Sequence, residues 1–230
     1  MGAAAGAAQE PLEPPRPAFL PELTLEEKRT LARGERVQRQ TRQGSSGTGL
    51  VVVDVRADAA TAMEVLQSFA AYGDMIDTVR EARILGQRGG VTKAEFLISR
   101  FKLRVRVLLK SNPAASTVEF ELDPDCKAAG KSVLNDARGI WYVERPPDCR
   151  PGHCRIWLVA SLVVSGLVPG FLVDYAAARA LPRASTWLKP TCERVQRSHE
   201  REGRRHLLNA VAATAAAAAQ QQQQQQQREG

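Results

Sequence analysis

FKLRVRVLLK, Phe101 to Lys110, is the stretch on which the fold turns. Phe101, Leu103, Val105, Val107 and Leu109 fall on one parity, and Lys102, Arg104, Arg106 and Leu108 on the other. Successive side chains of a strand point to opposite faces, so this is a strand with one buried face and one wet, basic face. The period of two extends outward on both sides. Val79 to Leu85 is a strand ended by Gly86 and by Gly89-Gly90, and Val91 to Ser99 places Ala94, Phe96 and Ile98 on one face. After the turn at Asn112-Pro113, Thr117 to Leu122 carries Val118, Phe120 and Leu122 inward. Ser132 to Glu144 has Gly139, Trp141 and Val143 on one parity, Pro146 to Gly152 is a hairpin tip, and Arg155 to Val164 returns. Six strands joined by short turns make an antiparallel meander.

Upstream, Thr24 to Leu31 reads as a short helix, with Thr24 and Glu27 in capping-box spacing. Glu35 to Gln43 is mostly polar and suits an exposed edge strand. Gly44 to Gly49 reads as a flexible turn, and Leu50 to Arg56 as a Val-rich strand. Asp58 caps a helix whose Ala62, Val65, Leu66 and Phe69 form one apolar stripe. Gly73 breaks it, and Met75-Ile76 follow as an apolar hook. Downstream, Phe171, Tyr175 and Ala178 share a helical face; Pro182 interrupts, and Trp187 or Leu188, Cys192 and Val195 continue a stripe. Pro190 kinks or restarts that helix.

The chain has 230 residues, 43% hydrophobic and 25% charged. That composition excludes a wholly disordered chain, a collagen and a small disulfide scaffold. Met1 to Pro21 is Ala/Gly/Pro-rich, Ala215 to Ala219 is a pure Ala run and Gln220 to Gln227 a poly-Gln run. The expected organisation is a disordered segment over 1–23, one domain over 24–199, and a charged, Ala-rich and poly-Gln tail over 200–230, disordered or partly helical. Ile156 to Val173 is uncharged over 18 residues, but its Ser, Gly and Pro content reads as strand, turn and helix start rather than a membrane span. With no secretory leader and only four scattered cysteines, the expectation is a soluble protein of a reducing intracellular compartment, cytoplasm or organelle.

A curved antiparallel sheet and an amphipathic helix each have one face to bury, and wrapping the sheet around the closing helix buries both. The expected fold class is therefore α+β, with an apolar hollow between sheet and helix of the kind that holds small apolar ligands. Ala57-Asp58, Val65-Leu66, Phe69 with Tyr72, and Met75-Ile76 stand in the order of the opening of a known family. Ala94-Glu95-Phe96, Val118-x-Phe120-x-Leu122, Gly139-x-Trp141 with Val143-Glu144, Leu181-Pro182 and Trp187-Leu188-Lys189 continue it. Together they resemble the polyketide cyclase/coenzyme Q-binding branch of the START-like (SRPBCC) helix-grip proteins, over roughly Thr24 to His199. The sequence departs from that pattern at Met63, where Trp is common, at Ser68, where Asp is frequent, and at Asp77, where Pro is frequent; Asp77 makes the mouth of the hollow more polar.

The resemblance implies a fold of the START/Bet v1 type and a hydrophobic-ligand binding domain, whose relatives bind quinones, sterols, lipids or polyketides and only in a minority do chemistry. Residues expected to line the hollow are Phe96, Ile98, Phe101, Leu103 and Val105 on two strands, and Phe120, Leu122, Trp141 and Tyr175 beyond them. Met75, Ile76, Leu167 and Phe171 are large apolar residues in two loops near its entrance, either a gate or a plug of the core. Two functions follow: binding, transport or chaperoning of an isoprenoid quinone or lipid, or a polyketide cyclase/dehydratase. A third reading is an interaction module with a filled core. A cyclase would orient its substrate with polar groups, and Asp136, Arg138, Tyr142 and Tyr175 serve only if they point inward.

No cofactor or metal is expected. Cys149, His153 and Cys154 lack the fourth ligand of a zinc site, His199 and His206 lie in the tail, and neither a nucleophile elbow nor a phosphate loop occurs. The net charge of +7 comes with two basic groups: Lys102, Arg104 and Arg106 on one strand, and Arg194, Arg197, Arg201, Arg204 and Arg205 near the C terminus. They are either solvated faces or a site of transient contact with an anionic membrane. Nucleic acid is not an expected partner, because the aromatic residues point inward.

Overall fold

Leu50, Val51, Val52, Val53 and Val55 are all buried, which a strand achieves only when both of its faces are covered. The computed structural model, which describes residues 16–98, 103–128, 133–166 and 185–229, shows how. Its elements are α1 (Leu25–Ala32), β1 (Val37–Gln43), β2 (Ser46–Val55), α2 (Ala59–Gln67), α3 (Tyr72–Met75), β3 (Val79–Arg88), β4 (Val91–Ile98), β5 (Leu103–Asn112), β6 (Thr117–Leu122), α4 (Pro124–Ala128), β7 (Leu134–Glu144), β8 (Cys154–Val164) and α5 (Leu188–Glu229). Among the described residues the strands form one eight-stranded antiparallel sheet in the order β1-β2-β8-β7-β6-β5-β4-β3. The six-strand meander is present, and β2 docks on its last strand through ten paired residues from Ser46↔Val163 to Val55↔Cys154. This is the expected α+β helix-grip architecture.

Local chemistry fixes the turns and starts. The Thr24 side chain accepts from the Glu27 N–H at 3.2 Å and the Glu27 carboxylate accepts from the Thr24 N–H at 2.8 Å, closing the capping box of α1. Asp58 caps α2 by accepting from the Thr61 N–H at 2.6 Å. Gly89 and Gly90, with φ of +58° and +78°, make the two-residue turn between β3 and β4 that only residues tolerating positive φ form. Two expected boundaries move. Gly86 does not end β3 but marks a bulge between Ile84 and Gly86, after which pairing resumes to Arg88. The turn expected over Gly44 to Gly49 shrinks to Gly44-Ser45, because Ser46 to Gly49 pair with both β1 and β8.

The inner face of the sheet carries one core, into which α2 and the first turns of α5 pack. Val51, Val53, Val55, Val107, Val118, Trp141, Val143, Ile156 and Leu158 meet Ala62, Val65, Leu66, Trp187, Leu188 and Cys192 there. The stripe read in the sequence from Trp187 to Cys192 is thus the buried face of α5, and Val195 packs at its margin. Pro190 sits in the first turn, where a missing N–H breaks no helical bond.

The outer face carries a second core. Leu50, Val52, Tyr142 and Trp157 are covered by Leu31 of α1, by Val37, and by Leu20 and Leu23. The segment composition placed outside the domain therefore contributes two buried leucines, and the packed chain extends to at least Arg16. Its Pro and Ala content hid two anchoring side chains. At the other end α5 runs through the tail as one helix of 42 residues, about 63 Å at 1.5 Å per residue. Residues 197–209 are exposed, so the helix leaves the domain beyond Gln196, with His199 still touching Thr61 and Glu64. No helix among the described residues is long and apolar enough to cross a membrane.

Candidate functional site

The half of the inner face built from β4, β5 and β6 is less covered than the half built from β2, β7 and β8. Cross-strand register puts Phe96 opposite Val105 and Ile98 opposite Leu103, on the face that buries Ala94 and Val107. Phe120 and Leu122 continue that face on β6, Leu122 opposite Val107. Leu122 is buried, whereas Phe96, Ile98, Leu103, Val105 and Phe120 are half-buried and Phe96, Val105 and Phe120 rest against the inner core. Phe120 lies over Gly139, its partner on β7, in space that a Cβ would occupy.

Aromatic rings tie this face to the helices. Tyr72 stacks on Phe96 at 5.7 Å between centroids, meets Phe69 edge-on at 5.8 Å, and lies 5.4 Å from Trp187. Trp187 in turn meets Trp141 edge-on at 6.4 Å. The Tyr72 hydroxyl donates to the Leu66 carbonyl at 2.6 Å, and burial pushes its pKa above the usual phenol range. Tyr72 is therefore a neutral, fully committed ring that fixes the α2–α3 corner against the sheet. The expected lining omitted Phe69, Tyr72 and Trp187; the three-residue spacing of Phe69 and Tyr72 across the end of α2 was the signal for the first two. Met75 and Ile76 are half-buried and pack against the same core. Phe101, Leu167, Phe171 and Tyr175, also expected at the hollow or its entrance, lie outside the described residues.

No family model matches the sequence, and no curated protein matches it. Solved structures do. The Zhui aromatase/cyclase from Streptomyces sp. R1128 superposes with a TM-score of 0.53 at 15% identity, over 69% of this chain and 95% of that one. A START superfamily protein from Mycobacterium smegmatis gives 0.51 at 16% identity, over 64% and 98%. A STAR-related lipid transfer protein from Xanthomonas axonopodis gives 0.52 at 14% identity, over 67% and 98%. The chain has a START-like fold.

Within this START-like frame the described polar candidates, Asp136, Arg138 and Tyr142, lie on the outer face of the sheet. Asp136 and Arg138 share the parity opposite to Gly139 and Trp141, and form a loose pair at 4.0 Å on the outer side. Tyr142 belongs to the outer core. Arg104 and Arg106, the described part of the basic strand stripe, are held by Glu95 at 3.0 Å each. The Arg106 guanidinium beside Glu95, joined by Arg104, keeps the Glu95 carboxyl below the usual carboxylate range. His199 is exposed and also has partners: Thr61 Oγ1 at 3.4 Å from its Nδ1 and Glu64 Oε2 at 3.5 Å from its Nε2.

All four cysteines of the START-like chain are free thiols, Cys154 and Cys192 buried and Cys126 and Cys149 half-buried. Cys154 donates to the Asp58 carbonyl at 3.8 Å from the inner core, while Cys149 lies beside Asp54 and His153 Nδ1 contacts the Pro151 carbonyl at 3.1 Å. Burial pushes Cys149 up to about 11 and Cys192 up to about 12, and raises Cys154 as well. Among the described residues no three potential ligands gather around a common point. Among the described residues the inner face of β4 to β6 offers apolar and aromatic surface.

Proposed function

We propose that this START-like chain binds a hydrophobic molecule, an isoprenoid quinone or a lipid, between the β4–β6 half of its sheet and α5, and carries or shields it without chemical change. The observation that carries this reading is the row of inward-facing, half-buried Phe96, Ile98, Leu103, Val105 and Phe120, apolar side chains left partly uncovered next to an otherwise closed core. Leaving such area exposed forgoes about 25 cal/mol per Å², which a bound apolar ligand recovers. Fold neighbours that include a lipid transfer protein and an aromatase/cyclase support ligand binding in this frame. The cyclase neighbour favours a second reading, a polyketide-binding enzyme; of the groups it names, Asp136, Arg138 and Tyr142 are placed outward, and Tyr175 lies outside the described residues.

Tryptophan fluorescence tests the proposal. Trp141 and Trp187 touch the inner core, whereas Trp157 lies in the outer one. Titrating a short-chain ubiquinone analogue into a Trp157→Phe variant is expected to quench the remaining emission to saturation. Phe96→Asp, at a half-buried position, is expected to weaken that quenching at least ten-fold while the melting transition persists. Linear, unsaturable quenching equal in both proteins would rule out a quinone in the hollow, and the same titration with a fluorescent fatty acid distinguishes the lipid alternative.

A further inference from the structure

Where α5 leaves the domain it forms one wall of an open groove of about 390 Å³. Arg197, Arg201, Arg204 and Arg205 line that wall, and Arg56, at the end of β2, lines the other. The four helical arginines lie on one stripe with Leu208, at spacings of four, three, one and three residues. Arg56 is far from them in the sequence and is brought there by fixed contacts. Its backbone N–H donates to Glu193 Oε1 at 3.3 Å, and the Asp58 N–H donates to Gln196 Oε1 at 3.2 Å. The contacts of His199 with Thr61 and Glu64 hold the next turn.

Among the described residues the groove gathers arginines without carboxylate partners, unlike several arginines elsewhere in the fold. Arg39, Arg104, Arg106 and Arg155 are each bound to a carboxylate of the chain. Among the described residues none of the five groove arginines forms an ion pair. One carboxylate, Glu200, lines the groove, and it accepts from Gln196 Nε2 at 3.3 Å. Five guanidinium groups line one groove with one carboxylate, an excess of positive charge that an anion from outside the chain would complement. Guanidinium forks match phosphate oxygens bidentately. Next to the arginines stand Leu207 and Leu208, 65% and 63% exposed.

We propose that this groove docks the protein on a bilayer containing acidic phospholipids, the arginines at the headgroup phosphates and the leucine pair at the acyl boundary. The leucines decide against nucleic acid, since a phosphodiester backbone offers no apolar layer for them, whereas an interfacial helix uses both. The site is separate from the apolar hollow and stands whether or not the hollow carries a ligand.

The test is co-sedimentation of the full-length protein with phosphatidylcholine vesicles, with and without about 30% phosphatidylserine, at about 0.1 M and about 0.5 M salt. Binding is expected only to the acidic vesicles and to fall steeply with salt. Each arginine removed is expected to weaken it about five-fold, so Arg201→Gln with Arg205→Gln together weaken it about 25-fold. Leu207→Ser with Leu208→Ser is expected to abolish whatever binding survives the higher salt, and Arg88→Gln, exposed but outside the groove, to change nothing. All these side chains are exposed, so unchanged melting is expected in every variant. Equal binding to both vesicle types, no binding, or binding indifferent to the groove variants would overturn the proposal. So would vesicle binding that is weaker than binding to a DNA duplex at the same salt. A chain that holds an apolar molecule yet ignores acidic vesicles would lose the docking site alone.

Discussion

A Cβ added to Gly139 would stand 2.5 Å from the Val159 carbonyl oxygen and inside the space of the Phe120 ring. The ring is free to swing aside; the carbonyl belongs to β8 and is not. Gly139→Ala is therefore expected to destabilise by about 2 kcal/mol, and Phe120→Leu in the same chain is expected not to rescue it. Urea midpoints of the two single variants and the double measure this, and full rescue would place the strain on the ring instead. Glu27 makes a pH-dependent contribution. Its carboxylate accepts from Arg39 and closes the capping box with Thr24, and the Arg39 bond is the main reason its pKa drops from 4.5 to about 2. A lowered carboxyl pKa stabilises the fold fully above the unfolded value and is lost as pH falls from about 4.5 through about 2. Glu27→Gln is expected to lower stability by about 1 kcal/mol at pH 7. The gap to the natural chain should close toward pH 2, as read from denaturant midpoints across that range. Arg155, 3% exposed, is bound bidentately to Asp54 at 2.7 and 3.0 Å and to Asp148 at 3.0 Å. Such a buried pair fixes the register of β2 on β8 more than it adds stability.

At the scale of elements, the meander, α2 with its Asp58 cap, and the buried face of α5 were legible because each rests on a short-range period or a capping side chain. The outer core was not. Leu20 and Leu23 sit in a Pro-rich segment with no period, and nothing local says that Trp157 and Tyr142 face outward into a second layer. The signal was indirect: Val51, Val52 and Val53 in succession, and Ile156, Trp157 and Leu158 in succession, are apolar on both parities, as strands buried on both faces must be. At the candidate site the inward parity of Phe96, Ile98, Leu103, Val105 and Phe120 followed from alternation alone, while the Tyr72–Trp187 contact joins residues distant in sequence and needed the fold. The outer layer carries its own prediction. Arg16 lies 4.9 Å over the Trp157 ring, whose Nε1–H donates to Glu144 at 2.6 Å. Leu20→Ala and Leu23→Ala are each expected to cost about 2 kcal/mol, and the pair to leave the inner-core tryptophans unshifted in emission. A loss below about 0.5 kcal/mol for both would return this segment to the solvent.

The whole molecule is a sheet with two covered faces and two kinds of surface left over. The convex layer is closed by α1 and the segment from Arg16, and the concave layer is closed over β2, β7 and β8 by α2 and α5. What remains is apolar on the inside, at Phe96, Ile98, Leu103, Val105 and Phe120, and basic on the outside, along the exit of α5. The two proposals, an apolar ligand inside and an acidic bilayer outside, together describe a protein that exchanges ligand with a membrane. The Glu95 ion pairs bear on this division, since they pair Arg104 and Arg106 within the chain, whereas the arginines of the α5 groove form no ion pair among the described residues. The claim beneath all of this is that the concave face holds an apolar molecule. Native mass spectrometry of the full-length chain after gentle extraction tests it most directly. The account predicts a species heavier than the bare chain by one small molecule that partitions into organic solvent, and its loss in Phe96→Asp with the fold intact. A spectrum at the mass of the bare chain, unchanged after incubation with quinones and lipids, would contradict it.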